Sequence, residues 1–207
     1  MTSAETPTQT TADTRAQTTA EDPRQTMFLA ADLAGRVLDA VPDGAHPDPT
    51  PCTEWTVDDL RGHLVAVTAR VAHIARGGYP FDLPTLLEEE PAGGFAAAYA
   101  AGVAGVRAAW ADDAVLTATV HHPAGDMPGA AGATVYAQEF ATHAVDLAVA
   151  TGRTDLLDEG FLARVLEIAR RVVPAQREGF PFAPPVAVPD DAPAHVQLSG
   201  WLGRVPA

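Results

Sequence analysis

The sequence predicts an all-α protein, a helical bundle. Three observations carry that expectation. Apolar residues recur at intervals of three and four in four or five separate segments. Capping and breaker residues bracket those segments. Alternation of the kind that marks a strand is almost absent. The 207 residues suffice for one core, and a composition that is 47% hydrophobic and 19% charged is ordinary for a globular chain.

Residues 1–25 are read as a disordered N-terminal tail. They are rich in Thr, Ala, Glu, Asp and Gln and lack Leu, Ile, Val and aromatic residues. Residues 26–207 are read as a single helical domain. The first helix is expected from Thr26 to Ala40, with Phe28, Leu29, Leu33, Val37 and Leu38 at helical spacing, and it stops at the breaker cluster Val41-Pro42-Asp43-Gly44. A proline-rich loop follows to Glu54. The second helix has the clearest start: Thr56 as N-cap, Asp59 in the capping-box position, and Trp55 with Leu60 as a hydrophobic staple. Its seam is Val57, Leu60, Leu64, Val67, Val71 and Ile74, and Gly77-Gly78 ends it.

A third, Ala-rich helix is expected from Gly94 to Trp110. Residues Val115 to Val120 read as a short strand or an extended connection, and His121 to Gly132 as a loop. The fourth helix spans Ala133 to Ala150 and the fifth Asp158 to Val173, ending before Pro174. Pro181 to Ala207 is read as an irregular tail.

Several function classes are excluded. All 13 basic residues are Arg, so a Walker-A lysine, a Schiff base and a Ser–Lys pair are impossible. The single cysteine, Cys52, excludes an intramolecular disulfide and a CxxC redox pair. The net charge of −14 argues against nucleic acid as a partner. No apolar run is long enough for a membrane span, and no signal-peptide pattern is seen, so a cytoplasmic location is expected.

The informative polar residues sit within apolar seams. His63 lies at the border of the second helix's seam. Glu139 and His143, four apart on the fourth helix, stack on one face, and Asp146 continues that line. Two imidazoles and a carboxylate with an open fourth position are the donor set of a mononuclear catalytic zinc site, although nickel, iron or cobalt accept the same donors. On spacing alone an ordinary helix-face pair is the better reading of Glu139 and His143, since such pairs occur by chance on many helices. Asp146 either orients a ligand imidazole or bonds elsewhere in the bundle. The others have plainer readings: His121 and His122 in a surface loop, His73 and a buried Cys52 as structural, Arg61, Arg153 and Arg204 in surface salt bridges, and Trp55 and Trp201 as packing anchors.

The stretches TPCTEWTVDDLRGHLV (residues 50–65) and EFATHAVDLAVATGR (residues 139–153), with the ending WLGRVP (residues 201–206), resemble an actinobacterial family, the mycothiol-dependent maleylpyruvate isomerase N-terminal domain family of the DinB-like superfamily. The resemblance implies a DinB-like four-helix bundle, here with an extra C-terminal helix and an irregular tail. It implies one divalent metal ion, zinc first and nickel or iron as alternatives, held by His63, Glu139 and His143. It implies a metal-dependent enzyme of thiol addition, S-transfer or isomerisation acting on a small molecule, with a low-molecular-weight thiol such as mycothiol as candidate cofactor. The catalytic group is unassigned beyond a metal-bound water or thiol. The full isomerase has a second α/β domain, for which the roughly 50 residues after the fourth helix are too few. Two alternatives are a thiol-independent isomerase or cyclase on the same scaffold and a non-catalytic metal-binding or stress-related bundle. The expected oligomeric state is a monomer or a homodimer.

Overall fold

The computed structural model describes residues 22–42, 47–179 and 181–205. It is an all-α, DinB-like bundle of four long helices with smaller elements at its ends. Helix α1 spans Pro23–Asp39, α2 Val57–Ile74, α3 Gly94–Ala109 and α5 Gly129–Ala150. Around the bundle α1 lies between α5 and α3, and α2 closes the ring against the same two helices. The core comprises Leu33, Leu38, Leu60, Leu64, Tyr99, Trp110, Phe140 and Leu147, among others, all essentially inaccessible.

Helix α1 starts three residues before the expected Thr26. The Asp22 side chain accepts from the Arg24 N–H at 2.9 Å, and Pro23 occupies the first turn, where its missing N–H costs nothing. Arg24 also donates to the Trp110 carbonyl and pairs with Asp113 at 2.6 Å, tying the start of α1 to the end of α3. Of the expected tail, residues 1–21 lie outside the described residues.

Helix α2 begins as expected, with both hydrogen bonds of the Thr56–Asp59 capping box formed. Two buried donors lock α3 to its neighbours. The Tyr99 hydroxyl donates to the Ala31 carbonyl at 2.9 Å, and the Trp110 indole N–H to the Val71 carbonyl at 3.0 Å. Both bonds satisfy polar tips that the aromatic rings carry into the core.

The segment after α3 differs from expectation. Residues Ala114–Thr117 form a single helical turn, α4. Strand β1 (Thr119–His122) then pairs antiparallel with β2 (Gly125–Pro128), with Val120 opposite Met127. The expected loop from His121 to Gly132 is therefore a hairpin followed directly by α5. That helix starts four residues before Ala133 because close packing overrides the weak helix propensity of glycine. A Cβ at Gly129 would lie 2.0 Å from the Val115 carbonyl oxygen, and one at Gly132 would lie 2.9 Å from Val120.

Helix α6 (Glu159–Val172) has Asp158 as N-cap and packs on α5. The expected irregular tail contains one more helix, α7 (Ala194–Trp201), packed on α6 and α5. The chain before it is pinned by the Val186 N–H donating to the Gly200 carbonyl at 2.8 Å. No helix of the described residues is long and apolar enough to cross a membrane.

Candidate metal centre

Three side chains from two facing helices converge. The capping box sets the start of α2, and hence its rotation, so that His63 in its second turn faces α5. Glu139 and His143, one turn apart on α5, face back. One ligand atom from each residue lies within 4.8 Å of the other two. His63 Nε2 is 3.3 Å and His143 Nε2 3.6 Å from Glu139 Oε1. Both histidines are buried, while the Glu139 side chain keeps 30% exposure and opens to a cleft.

The far nitrogen of each imidazole is anchored. His63 Nδ1 lies 2.8 Å from the Thr85 carbonyl oxygen, and His143 Nδ1 lies 3.2 Å from Asp146 Oδ2. Carbonyl and carboxylate oxygens only accept, so each Nδ1 carries the hydrogen. The neutral His63 ring then presents a bare Nε2 lone pair to Glu139, and His143 does the same once it has shed its second proton. Such anchoring of the outer nitrogen is typical of metal-bound histidine.

Electrostatics in the metal-free site follow from the same contacts. Burial pushes the His63 imidazole below its usual value, and the Glu139 contact offsets this only in part. Burial would also depress His143, but hydrogen bonds to Asp146 and Glu139 outweigh it and raise that imidazole to about 9. Burial would raise the Glu139 carboxyl, yet contacts with His143 and His63 hold it well below the usual carboxylate range.

Asp146 is fully buried beside His143. Arg204, from the C-terminal segment, donates to both of its oxygens at 2.6 and 2.8 Å. Arg204 is therefore not in the expected surface salt bridge but in a buried fork–carboxylate pair behind a histidine of the site. Burial would raise Asp146, but the charge of Arg204 and the hydrogen bonds of His143 and Arg204 keep it ionised.

A cleft of about 540 Å³ opens onto the triad, lined by Cys52, Trp55, Glu139, Phe182, Leu202 and Arg204, among others. Trp55 is more than a packing anchor, since its ring lies 4.3 Å from that of His63 and 5.7 Å from that of His143. Cys52 is half-buried and faces the cleft rather than the core. Burial pushes its thiol up, and the charge of Arg204 opposes this only partly, which makes it a poor nucleophile at neutral pH.

The other sequence candidates lie elsewhere. His73 pairs with Asp82 at 3.1 Å, and Arg153 with Asp155 at 3.0 Å on the surface. His121 pairs with Asp126 in the hairpin and stacks on Tyr79. His122 is half-buried against Tyr136. Arg61 is buried, paired with Asp58 at 2.8 Å and set over the Phe95 ring, rather than in a surface salt bridge. Trp201 packs under the Arg177 guanidinium.

One residue that sequence reasoning missed is Gly62. A Cβ there would lie 2.3 Å from the Leu87 carbonyl oxygen. Its absence lets residues 85–87 close on α2 and bring the Thr85 carbonyl to His63. The only signal in the sequence is a glycine inside a strong helical pattern. Gly62→Ala gains about 1 kcal/mol of helix propensity, but forcing the loop away costs about 1–3 kcal/mol. Loss of the Thr85 anchor is expected to weaken metal affinity roughly ten- to a hundredfold, measured by competition with a chromophoric chelator.

The family model described as the mycothiol maleylpyruvate isomerase N-terminal domain matches residues 27–148. Two uncharacterized proteins of Mycobacterium tuberculosis, from strains CDC 1551 / Oshkosh and ATCC 25618 / H37Rv, are each 32% identical over 185 residues, covering 88% of this chain and 98% of theirs. No solved structure gives a significant match. The matched span holds His63, Glu139, His143 and Asp146 on a helical bundle of the kind the resemblance implied, and the chain belongs to the mycothiol maleylpyruvate isomerase N-terminal domain family.

Proposed function

We propose that this protein is a metal-dependent enzyme that carries out thiol addition, S-transfer or isomerisation on a small molecule. The observation that carries the reading is a shortage of hydrogens at the triad. His63 faces two acceptors, Thr85 O and Glu139 Oε1, and a neutral imidazole has one hydrogen to give. A cation between Nε2 and the carboxylate removes that conflict. His63, Glu139 and His143 would hold a divalent ion, zinc or another ion that accepts nitrogen and carboxylate donors, leaving a position open to the cleft. Such an ion supplies Lewis acidity, lowering the pKa of a thiol or water that reaches it.

The chain's own residues supply the rest. Thr85 and Asp146 fix the two imidazoles. Arg204 holds Asp146 ionised and in place. Trp55 and Phe182 give the cleft apolar walls that exclude water from one side. Mycothiol is the thiol to test first, because the matching family is described by it. The test follows conversion of a cis-alkene dicarboxylate by the zinc-loaded protein with mycothiol, with glutathione and without thiol. Turnover that chelation removes supports the reading. Full metal loading with no turnover of any cis-alkene or thiol acceptor contradicts it and favours a non-catalytic metal-binding bundle.

The raised His143 value makes metal uptake pH-dependent. At pH 7 the metal-free imidazole is protonated, so binding must expel that proton. Zinc binding at pH 7 is expected to release about one proton, read by calorimetry in buffers of different ionisation enthalpy. The stability linkage has a definite sign. With a folded value of about 9, above the ordinary value of 6.5, the His143 contribution to metal-free stability is complete below 6.5 and is lost as pH rises through about 9. Melting temperatures of chelator-treated protein across that window check this, and a stability that rises with pH there would contradict it.

A further inference from the structure

A second polar cluster lies one turn from the triad. Tyr136 precedes Glu139 by three residues and shares its face of α5. The tyrosine is 3% exposed, and its hydroxyl is buried with no hydrogen-bond partner among the described residues. On α2, Arg70 follows His63 by seven residues and so faces the same way. It is 7% exposed, and among the described residues it donates only to carbonyl oxygens, Pro80 at 3.2 Å and Pro84 at 2.9 Å. No carboxylate pairs with it among the described residues. The third member is His122, on β1, whose ring lies 5.0 Å from that of Tyr136.

All three groups present donors. His122 Nδ1 accepts the Ala124 N–H at 3.0 Å, so the neutral ring carries its hydrogen on Nε2. Burial pushes His122 down, with Glu139 opposing and Arg70 adding to the effect, which keeps it neutral. Burial pushes the Tyr136 phenol up, with Glu139 adding and Arg70 opposing, which keeps it protonated. A buried guanidinium without a counter-ion and a buried hydroxyl without an acceptor are each costly, and one anion satisfies both. Glu139 does not fill that role, because its charge is matched by His143.

We propose that Arg70, His122 and Tyr136 form an anion subsite that takes a carboxylate of the small-molecule substrate, on the hairpin side of Glu139. Calling the ligand substrate rests on the enzymatic reading above, whereas anion binding itself does not require the metal.

The probes are sodium acetate and sodium malonate, titrated against sodium chloride at matched ionic strength. The readout is the ¹⁵N imidazole signal of His122 in full-length protein, chelator-treated and zinc-loaded. A saturable His122 shift is expected in both forms. Tyr136→Phe removes a hydroxyl that has no partner, so its melting temperature should equal or exceed that of wild type while the anion binds about tenfold more weakly. His122→Gln, followed by the backbone amide signal of Tyr136, should weaken binding as well, independently of Tyr136→Phe folding. A response confined to zinc-loaded protein and indifferent to Tyr136→Phe places the carboxylate on the metal. That outcome overturns the subsite and leaves the metal centre standing. No response in either form also overturns it, with water filling the cluster. A His122 response that Tyr136→Phe weakens, in protein that binds no zinc, sustains the subsite and removes the metal reading.

Discussion

Arg204→Ala is expected to destabilise the protein by about 3–5 kcal/mol, because it leaves a buried carboxylate without its partner. Asp146 has no exposure and takes two hydrogen bonds from the Arg204 guanidinium. Its other partner, His143, offers one nitrogen and is shared with Glu139. Arg204→Lys keeps the charge but not the planar fork, so it should recover only part of the loss. The pair Arg204→Ala with Asp146→Ala should cost less than the sum of the singles, since no charge is stranded in the double variant. Urea unfolding of the four variants measures this. A loss below about 1 kcal/mol for Arg204→Ala would mean that the pair behaves as an exposed salt bridge. The same contact closes the C-terminal segment over the cleft, so the variant should also weaken metal retention.

The second large effect concerns the ion itself. Zinc added to chelator-treated protein at about a hundredfold above its dissociation constant should raise stability by about 2.7 kcal/mol. His63→Ala, Glu139→Ala and His143→Ala should each abolish that response, because each removes one of the three side chains proposed to hold the ion. The three differ in the metal-free state. His143→Ala also strips a hydrogen bond from Asp146 and an ion-pair partner from Glu139, so it should lower baseline stability most. Glu139→Ala removes the carboxylate that faces both imidazoles, and it should lower baseline stability least. Thermal unfolding with and without zinc separates ligand loss from structural damage.

Much of the fold was legible because local signals agreed with the tertiary outcome. Thr56, Asp59 and the staple marked the start of α2 to the residue, and the apolar seams marked the bundle. The misreadings share a cause. Helix α5 begins in Gly129-Ala130-Ala131-Gly132, where propensity is poor and close packing against α4 and β1 decides. The hairpin is four residues on each side, and Pro123 and Gly125 read as loop. Helix α7 hides in a proline-rich context. The start of α1 was readable in Asp22-Pro23, a cap followed by proline, but no Leu, Ile, Val or aromatic residue precedes Met27 to draw attention to it.

The site was legible where chemistry and period coincide. Glu139 and His143 share a helix face, and His63 breaks an apolar seam. The meeting of α2 with α5 was not contained in either helix alone. It came from the family resemblance, and the fold now provides it. Arg204 and Gly62 were opaque for a plainer reason. An arginine near a terminus and a glycine in a helix have many ordinary explanations, and only packing shows that one clamps Asp146 and the other admits the Thr85 carbonyl.

The most direct test of the metal centre is the metal content of untagged protein by elemental mass spectrometry, wild type beside His143→Ala. About one equivalent of a divalent ion in the wild type and none in the variant is the expected result. No bound metal in the wild type, even after supplementation with zinc and nickel, would contradict the metal centre.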